Sequence, residues 1–188
     1  MDKEFLAYLV LILTIIGGLT GFITFLLIKY KNRKKKVISG TIQSICDGNV
    51  SVFFDKDNNV TIIPYAKDKY GVGRAVEKPH ILKTPYRAQE LGCWVRKLMA
   101  VCRNGKPCSN EQLMIMLNFP GWKEFTVGKR NISIHYQREY GVVLNSTIRR
   151  QDGSYQFNSV GAARTVPPDI TDKQLGEALL GLLDQCRA

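Results

Sequence analysis

No cysteine of this sequence pairs with another as CxxC, and only two histidines, His80 and His135, stand among its 188 residues. A metal site needs thiolates or imidazoles at close, regular spacing, so metal binding is excluded as the organising chemistry and no cofactor is expected. Cys46, Cys93, Cys102, Cys108 and Cys186 are odd in number, which argues against a disulfide framework. Acidic residues are scarce as well: 16 stand against 27 Lys and Arg, leaving a net charge of +11. Catalytic signatures are missing. There is no Walker-type phosphate loop, nucleophile elbow or His-Glu-x-x-His. Gly71-Val72-Gly73 is too short a glycine pattern to cradle phosphate, and His135 with Glu139 reads as scattered surface polarity rather than an acid–base pair. An enzyme is not expected. No helix-turn-helix, zinc-finger or ribonucleoprotein motif accompanies the positive charge, so nucleic acid is not the expected partner either.

What the sequence does contain begins with an apolar run. From Phe5 to Ile28 there are 24 residues without a charge, of which Leu, Ile, Phe and Val supply 16. About 20 such residues cross the hydrocarbon core of a bilayer, so the run predicts a transmembrane helix. Lys29, Lys31, Arg33, Lys34, Lys35 and Lys36 follow it, whereas Lys3 alone precedes it beside Asp2 and Glu4. Positive-inside bias then places the N-terminus outside and the remainder in the cytoplasm, with the basic flank against anionic lipid headgroups. A cleaved secretory signal would have a shorter apolar region and its charges in front. Gly17 and Gly21 form a GxxxG pattern that permits close helix approach and a homodimer.

Residues 1–36 are therefore read as anchor and flank, and residues 37–188 as one domain of ordinary size carrying +6 of the net charge. Alternating apolar residues predict strands over Val37–Ile45, Val50–Phe54 and Val60–Tyr65, with Asn58-Asn59 as a turn. Leu91, Trp94, Val95, Leu98, Met99 and Cys102 recur at three- and four-residue spacing, which predicts a helix over Arg87–Val101 with one core-facing side. A short helix follows over Glu111–Leu117, capped by Ser109 or Asn110. Strands are expected at Phe125–Val127, Ile132–Tyr136, Val142–Thr147 and Tyr155–Phe157, and a last helix at Thr171–Cys186, capped by Thr171. The fold class is α+β: a transmembrane helix, then antiparallel strands packed with two longer amphipathic helices. Those helices agree at an offset of 84, Leu91 with Leu175, Gly92 with Gly176, Leu98 with Leu182 and Cys102 with Cys186. Internal duplication accounts for this, or convergence of two amphipathic helices does; the strands do not align as cleanly.

Gly71-Val72-Gly73, Leu91-Gly92, Arg103-Asn104-Gly105-Lys106-Pro107, Gly121-Trp122-Lys123-Glu124-Phe125, Pro167-Pro168 and Leu175-Gly176-Glu177-Ala178-Leu179 occur in that order and spacing. Together they resemble a bacterial family, the contact-dependent growth inhibition immunity proteins. The resemblance implies a stoichiometric inhibitor that binds the toxin domain, often a nuclease, delivered by a neighbouring cell. In a bacterium the anchoring membrane would be the inner membrane, and a tether there would raise the inhibitor's effective concentration where the toxin enters. Asp169, Asp172, Glu177 and Asp184 are candidates for an acidic toxin-facing patch, a solvated helix face being the alternative, and Tyr136, Tyr140 and Tyr155 are candidate aromatic anchors. The competing function is a membrane-tethered scaffold or regulatory subunit of an inner-membrane complex.

Overall fold

A computed structural model describes residues 44–159 and 163–188 of the chain. Two strands, β1 (Asn49–Phe54) and β2 (Val60–Lys67), pair antiparallel across a tight turn. The Asp55 carboxylate shapes that turn by accepting from the backbone N–H groups of Asp57 and Asn59, at 2.9 and 2.8 Å, while Asn58 takes the left-handed conformation. Two short strands, β3 (Gly73–Ala75) and β4 (His80–Leu82), add to β2. On its other edge β1 pairs with β5 (Arg130–Gln137), which pairs with β6 (Gly141–Arg149). To β6 are added β7 (Tyr155–Phe157) and β8 (Ala163–Val166). The expected strand over Val37–Ile45 falls almost wholly outside the described residues, and Ser44 and Ile45 are not in a strand.

The sheet repeats itself about the β1–β5 pair. The cross-strand pair Val52–Ile62 of β1 and β2 recurs as Ile134–Leu144 of β5 and β6, 82 residues later on both strands. The pair Val60–Leu82 of β2 and β4 recurs as Val142–Val166 of β6 and β8, with the outer strand now 84 residues later. Strand order is the same read from either end, β3-β2-β1-β5-β6-β7, with β4 and β8 as equivalent additions. Two residues gained between β6 and β8 thus explain why the helices align at 84 while the strands do not.

One face of the sheet carries two helices, α1 (Ala88–Val101) and a second in the position 84 residues on, Asp172–Leu182. Period-two alternation sends Val50, Val52, Ile62, Ile132, Ile134 and Leu144 to this face, where they meet Leu91, Val95, Leu98, Leu175, Leu179 and Leu182. All are buried, each contributing about 1.5–3 kcal/mol by leaving water. The two helices touch through glycine. A Cβ placed on Gly92 would fall 1.9 Å from the carbonyl oxygen of Asp172, and one on Gly176 would fall 1.9 Å from that of Ala88. Because Ala88 and Asp172 are themselves 84 apart, the contact is reciprocal.

Among the described residues, helices cover the other face over one half. Here α2 (Asn110–Leu117), capped by Ser109 with a reciprocal Gln112 bond, and the single-turn α3 (Trp122–Thr126) lie between α1 and β5 in sequence. The later helix, capped in the same way by Thr171 and Gln174, is then α4 (Asp172–Leu182). Phe53, Ile63, Leu113, Leu117 and Phe125 fill this second core. The strand expected at Phe125–Val127 is therefore corrected. Trp122 and Phe125 are one helical turn apart, and both rings close on Phe53, at 5.7 and 5.1 Å. The positions 82 residues after Phe53 and Ile63, which no described helix covers, are His135 and Asn145, polar and half-buried.

Lys129 sits at the edge of this second core, 8% exposed, with its ammonium 3.6 Å from the Phe125 ring centre and 4.3 Å from that of Phe119. Burial pulls its pKa from 10.5 down to about 8, against the opposing pull of Asp55. An unfolded chain keeps this proton to about pH 10.4, so between pH 8 and 10 the unfolded state binds more protons and stability from this group rises with pH. Below pH 8 the cost of burying the charge is present in full. Lys129→Met is expected to stabilise the protein by about 1–2 kcal/mol at pH 7. That advantage should shrink between pH 8 and 10 in denaturant titrations of the two proteins; a constant difference would show that Lys129 is not the titrating group.

Among the described residues no helix is long and apolar enough to cross a membrane. The longest, α1, has 14 residues and carries Glu90, Arg96 and Lys97; at 1.5 Å per residue it spans about 21 Å, short of the roughly 30 Å of a bilayer core. This corrects the expected fold class and the expected single-pass inner-membrane location to what the described residues show, an α+β sheet with helices on both faces and no membrane-spanning helix. The run from Phe5 to Ile28, the Gly17–Gly21 pattern and the lysine flank from Lys29 to Lys36 lie outside the described residues.

Candidate partner-binding groove

Among the described residues no group of three or more His, Cys, Asp or Glu is placed to hold a metal ion. His135 meets the side-chain amides of Gln137, at 2.8 Å, and Asn145, at 3.5 Å, and burial pulls its pKa down. Both neighbours are amides, which orient the imidazole ring.

A concave feature lies between β8 and α4. Arg164, Thr165 and Val166 form one wall, Gln174, Glu177 and Ala178 the other, and Pro167 and Ile170 close the end of a groove of ≈ 380 Å³. Its floor is apolar, Val166, Ile170 and Ala178 being buried, while Arg164, Gln174 and Glu177 stand exposed at the rim. The groove is held in shape from below. Arg96 of α1 donates from Nε to the Asp172 carboxylate at 2.6 Å and from Nη2 to the Ile170 carbonyl, fixing the start of α4 and the turn before it. Ile45 N–H donates to the Pro168 carbonyl at 2.9 Å, holding the same turn from the other side.

The residues expected to meet a partner are placed in different ways. Glu177 lines the groove, with Lys173 3.6 Å from it one turn back. Asp169 is exposed on the connection into α4. Asp172 is engaged by Arg96, with side chains only 21% and 12% exposed, and so holds two helices together rather than facing outward. Asp184 lies 3.9 Å from Arg130, near the end of the chain. Tyr140 is exposed in the β5–β6 turn, Tyr136 is half-buried against the helix-side core, and Tyr155 points into the second core, donating to the Lys129 carbonyl at 2.7 Å. The structure therefore brings Glu177 to the groove and gives Asp172 and Tyr155 internal partners. Sequence patterns single out neither Arg164 nor Gln174, because isolated polar residues beside a short strand carry no periodic signal. A second exposed apolar stretch occurs around α2, at Ile115, Met116, Phe119 and Val127.

No family model matches the sequence, and no curated protein matches it. Solved structures do match. A protein of unknown function, NMB0488, from Neisseria meningitidis shares the fold with a TM-score of 0.58 at 15% identity, covering 79% of this chain and 100% of that one. A chain of the CdiA-CT/CdiI toxin and immunity complex from Yersinia pseudotuberculosis matches with a TM-score of 0.58 at 10% identity, over 77% of this chain and 100% of its own. The two neighbours thus place this α+β sheet among folds that include a chain of a toxin and immunity complex.

Proposed function

We propose that the protein is an immunity protein, one that binds a toxin domain and blocks it without turnover. The observation that carries this reading is the fold shared, over the full length of the neighbour, with a chain of a toxin and immunity complex. Short motifs spread through residues 71–179 of the sequence agree with it. The groove between β8 and α4 supplies a concave, mixed polar and apolar surface of the kind that protein partners occupy. Such an inhibitor must outlast the toxin it meets, which calls for an interface of about 1,200–2,000 Å² with a few anchoring side chains. Residues 37–188 carry a charge of +6, so long-range attraction favours a toxin surface that is acidic where it docks.

The test asks whether the adjoining gene encodes a very large secreted protein with a variable C-terminal domain, and then co-expresses that domain with this chain. Growth should be restored in cells making both, and the purified pair should associate with a Kd of about 1 nM or tighter. Unchanged killing together with no detectable complex would reject the reading.

A further inference from the structure

The internal repeat has a filled half and an open half. In the first, His80 of β4 stands opposite Ile62 of β2, and its ring stacks on Trp94 of α1 at 3.5 Å with 20° between planes; Lys97 lies 4.7 Å above the same indole. In the second, Arg164 of β8 stands opposite Leu144 of β6, the equivalent pair. The helix offset of 84 puts Ala178 where Trp94 is and Gly181 where Lys97 is. The indole between outer strand and helix is therefore missing, and at that place lies the ≈ 380 Å³ groove walled by Arg164 and Ala178. A guanidinium nitrogen of Arg164 comes to 3.8 Å from where a Cβ on Gly181 would be, so this side chain reaches over α4 in the space that Lys97 holds in the other half.

We infer that the open half is a socket for an aromatic side chain of the partner polypeptide, an indole or phenol ring lying on Ala178 beneath the Arg164 guanidinium. Two observations choose this occupant. This chain's own Trp94 fills the equivalent space, in contact with both His80 and Lys97, which shows what that space accommodates in this architecture. Arg164 has no ion pair among the described residues, and a guanidinium over an aromatic face is an attractive pairing; a carboxylate next to the ring on the partner would complete it. The apolar floor of Val166, Ile170 and Ala178 takes the ring, and Gln174 offers a side-chain amide to its polar edge. Identifying the partner as a toxin rests on the proposed function; the socket itself does not.

The probe is 5-fluoroindole added to the full-length protein and followed by fluorine NMR. Binding should broaden its resonance, and Ala178→Trp, which supplies the ring internally as Trp94 does, should reduce the affinity by about tenfold or more. Arg164→Ala should weaken binding to a smaller degree while leaving the fold intact. Should A178W fail to fold, Ala178→Leu blocks the same floor with a smaller side chain and is expected to give the same direction. Equal broadening with wild type and the blocked variant, or none with wild type, would overturn the socket. With a toxin domain in hand, A178W should lose affinity while Lys106→Ala, at an exposed lysine outside the groove, does not. A wild-type protein that binds fluoroindole through Ala178 but protects against no toxin would reject the immunity reading and leave the socket standing.

Discussion

Replacing Gly92 or Gly176 by alanine is expected to cost about 3 kcal/mol or more of folding stability, at the upper end for a change of one methyl group. The reason is that the clash is with main chain. At 1.9 Å from the carbonyl oxygens of Asp172 and Ala88, the new Cβ atoms have no side chain to push aside, so the helices themselves must part. Parting them weakens the burial of Leu91, Val95, Leu175 and Leu179, all with no solvent exposure. The two changes act on one contact, and the double variant should cost less than the sum of the singles, since helices already separated for one methyl have room for the other. Gly73→Ala is the control: no atom lies within 4 Å of its Cβ position, and the expected change is within about 0.5 kcal/mol. Urea titrations of the wild type and the four variants decide the matter. Alanine at Gly92 as harmless as at Gly73 would mean that the helices do not meet as described.

Phe53→Ala is the second large effect, about 3–5 kcal/mol. Phe53 alternates away from Val52 and Phe54 and is the strand residue on which the second core is assembled. Its ring lies 5.7 Å from Trp122, 5.1 Å from Phe125 and 5.6 Å from Tyr155, each pair edge-to-face. Removing it leaves a cavity lined by three rings from two elements, Trp122 and Phe125 of α3 and Tyr155 of β7. Trp122 reports on this core and Trp94 on the opposite face, so fluorescence of single-tryptophan variants separates the two layers. Coincident transitions at a lowered midpoint are expected of one cooperative unit. A Trp122 transition that moves alone would show α2 and α3 to be an independently melting cover.

How much of this was legible in the sequence depends on whether the signal was periodic. The helix over residues 88–101 could be read because Leu91, Val95, Leu98 and Met99 fall on one face, and the glycine contact was foreshadowed by Leu91-Gly92 and Leu175-Gly176 in matching positions. The strand half of the repeat was not legible. A single offset fails when two residues are gained between β6 and β8, and Phe53 aligns with His135, a substitution that makes sense only once α2 and α3 are seen to cover one half of the sheet. Phe125–Val127 read as strand because an apolar pair around threonine has no distinguishing period at that length. Asp172 read as an exposed acid because its partner Arg96 is 76 residues away. The groove was invisible for a further reason: it is made by what Ala178 lacks relative to Trp94, and a missing side chain announces itself only in three dimensions.

The distribution of thiols turns the protein into its own timekeeper. Cys46 is exposed, whereas Cys93, Cys102, Cys108 and Cys186 are buried, and burial raises the pKa of all four. A maleimide dye should therefore attach first at position 46, leaving a defined single label, while the remaining four are modified only as fast as their surroundings open. Cys108 belongs to one core, and Cys102 and Cys186 to the other, so mass spectrometry of successive adducts gives separate opening rates for the two sides of the sheet without a single substitution.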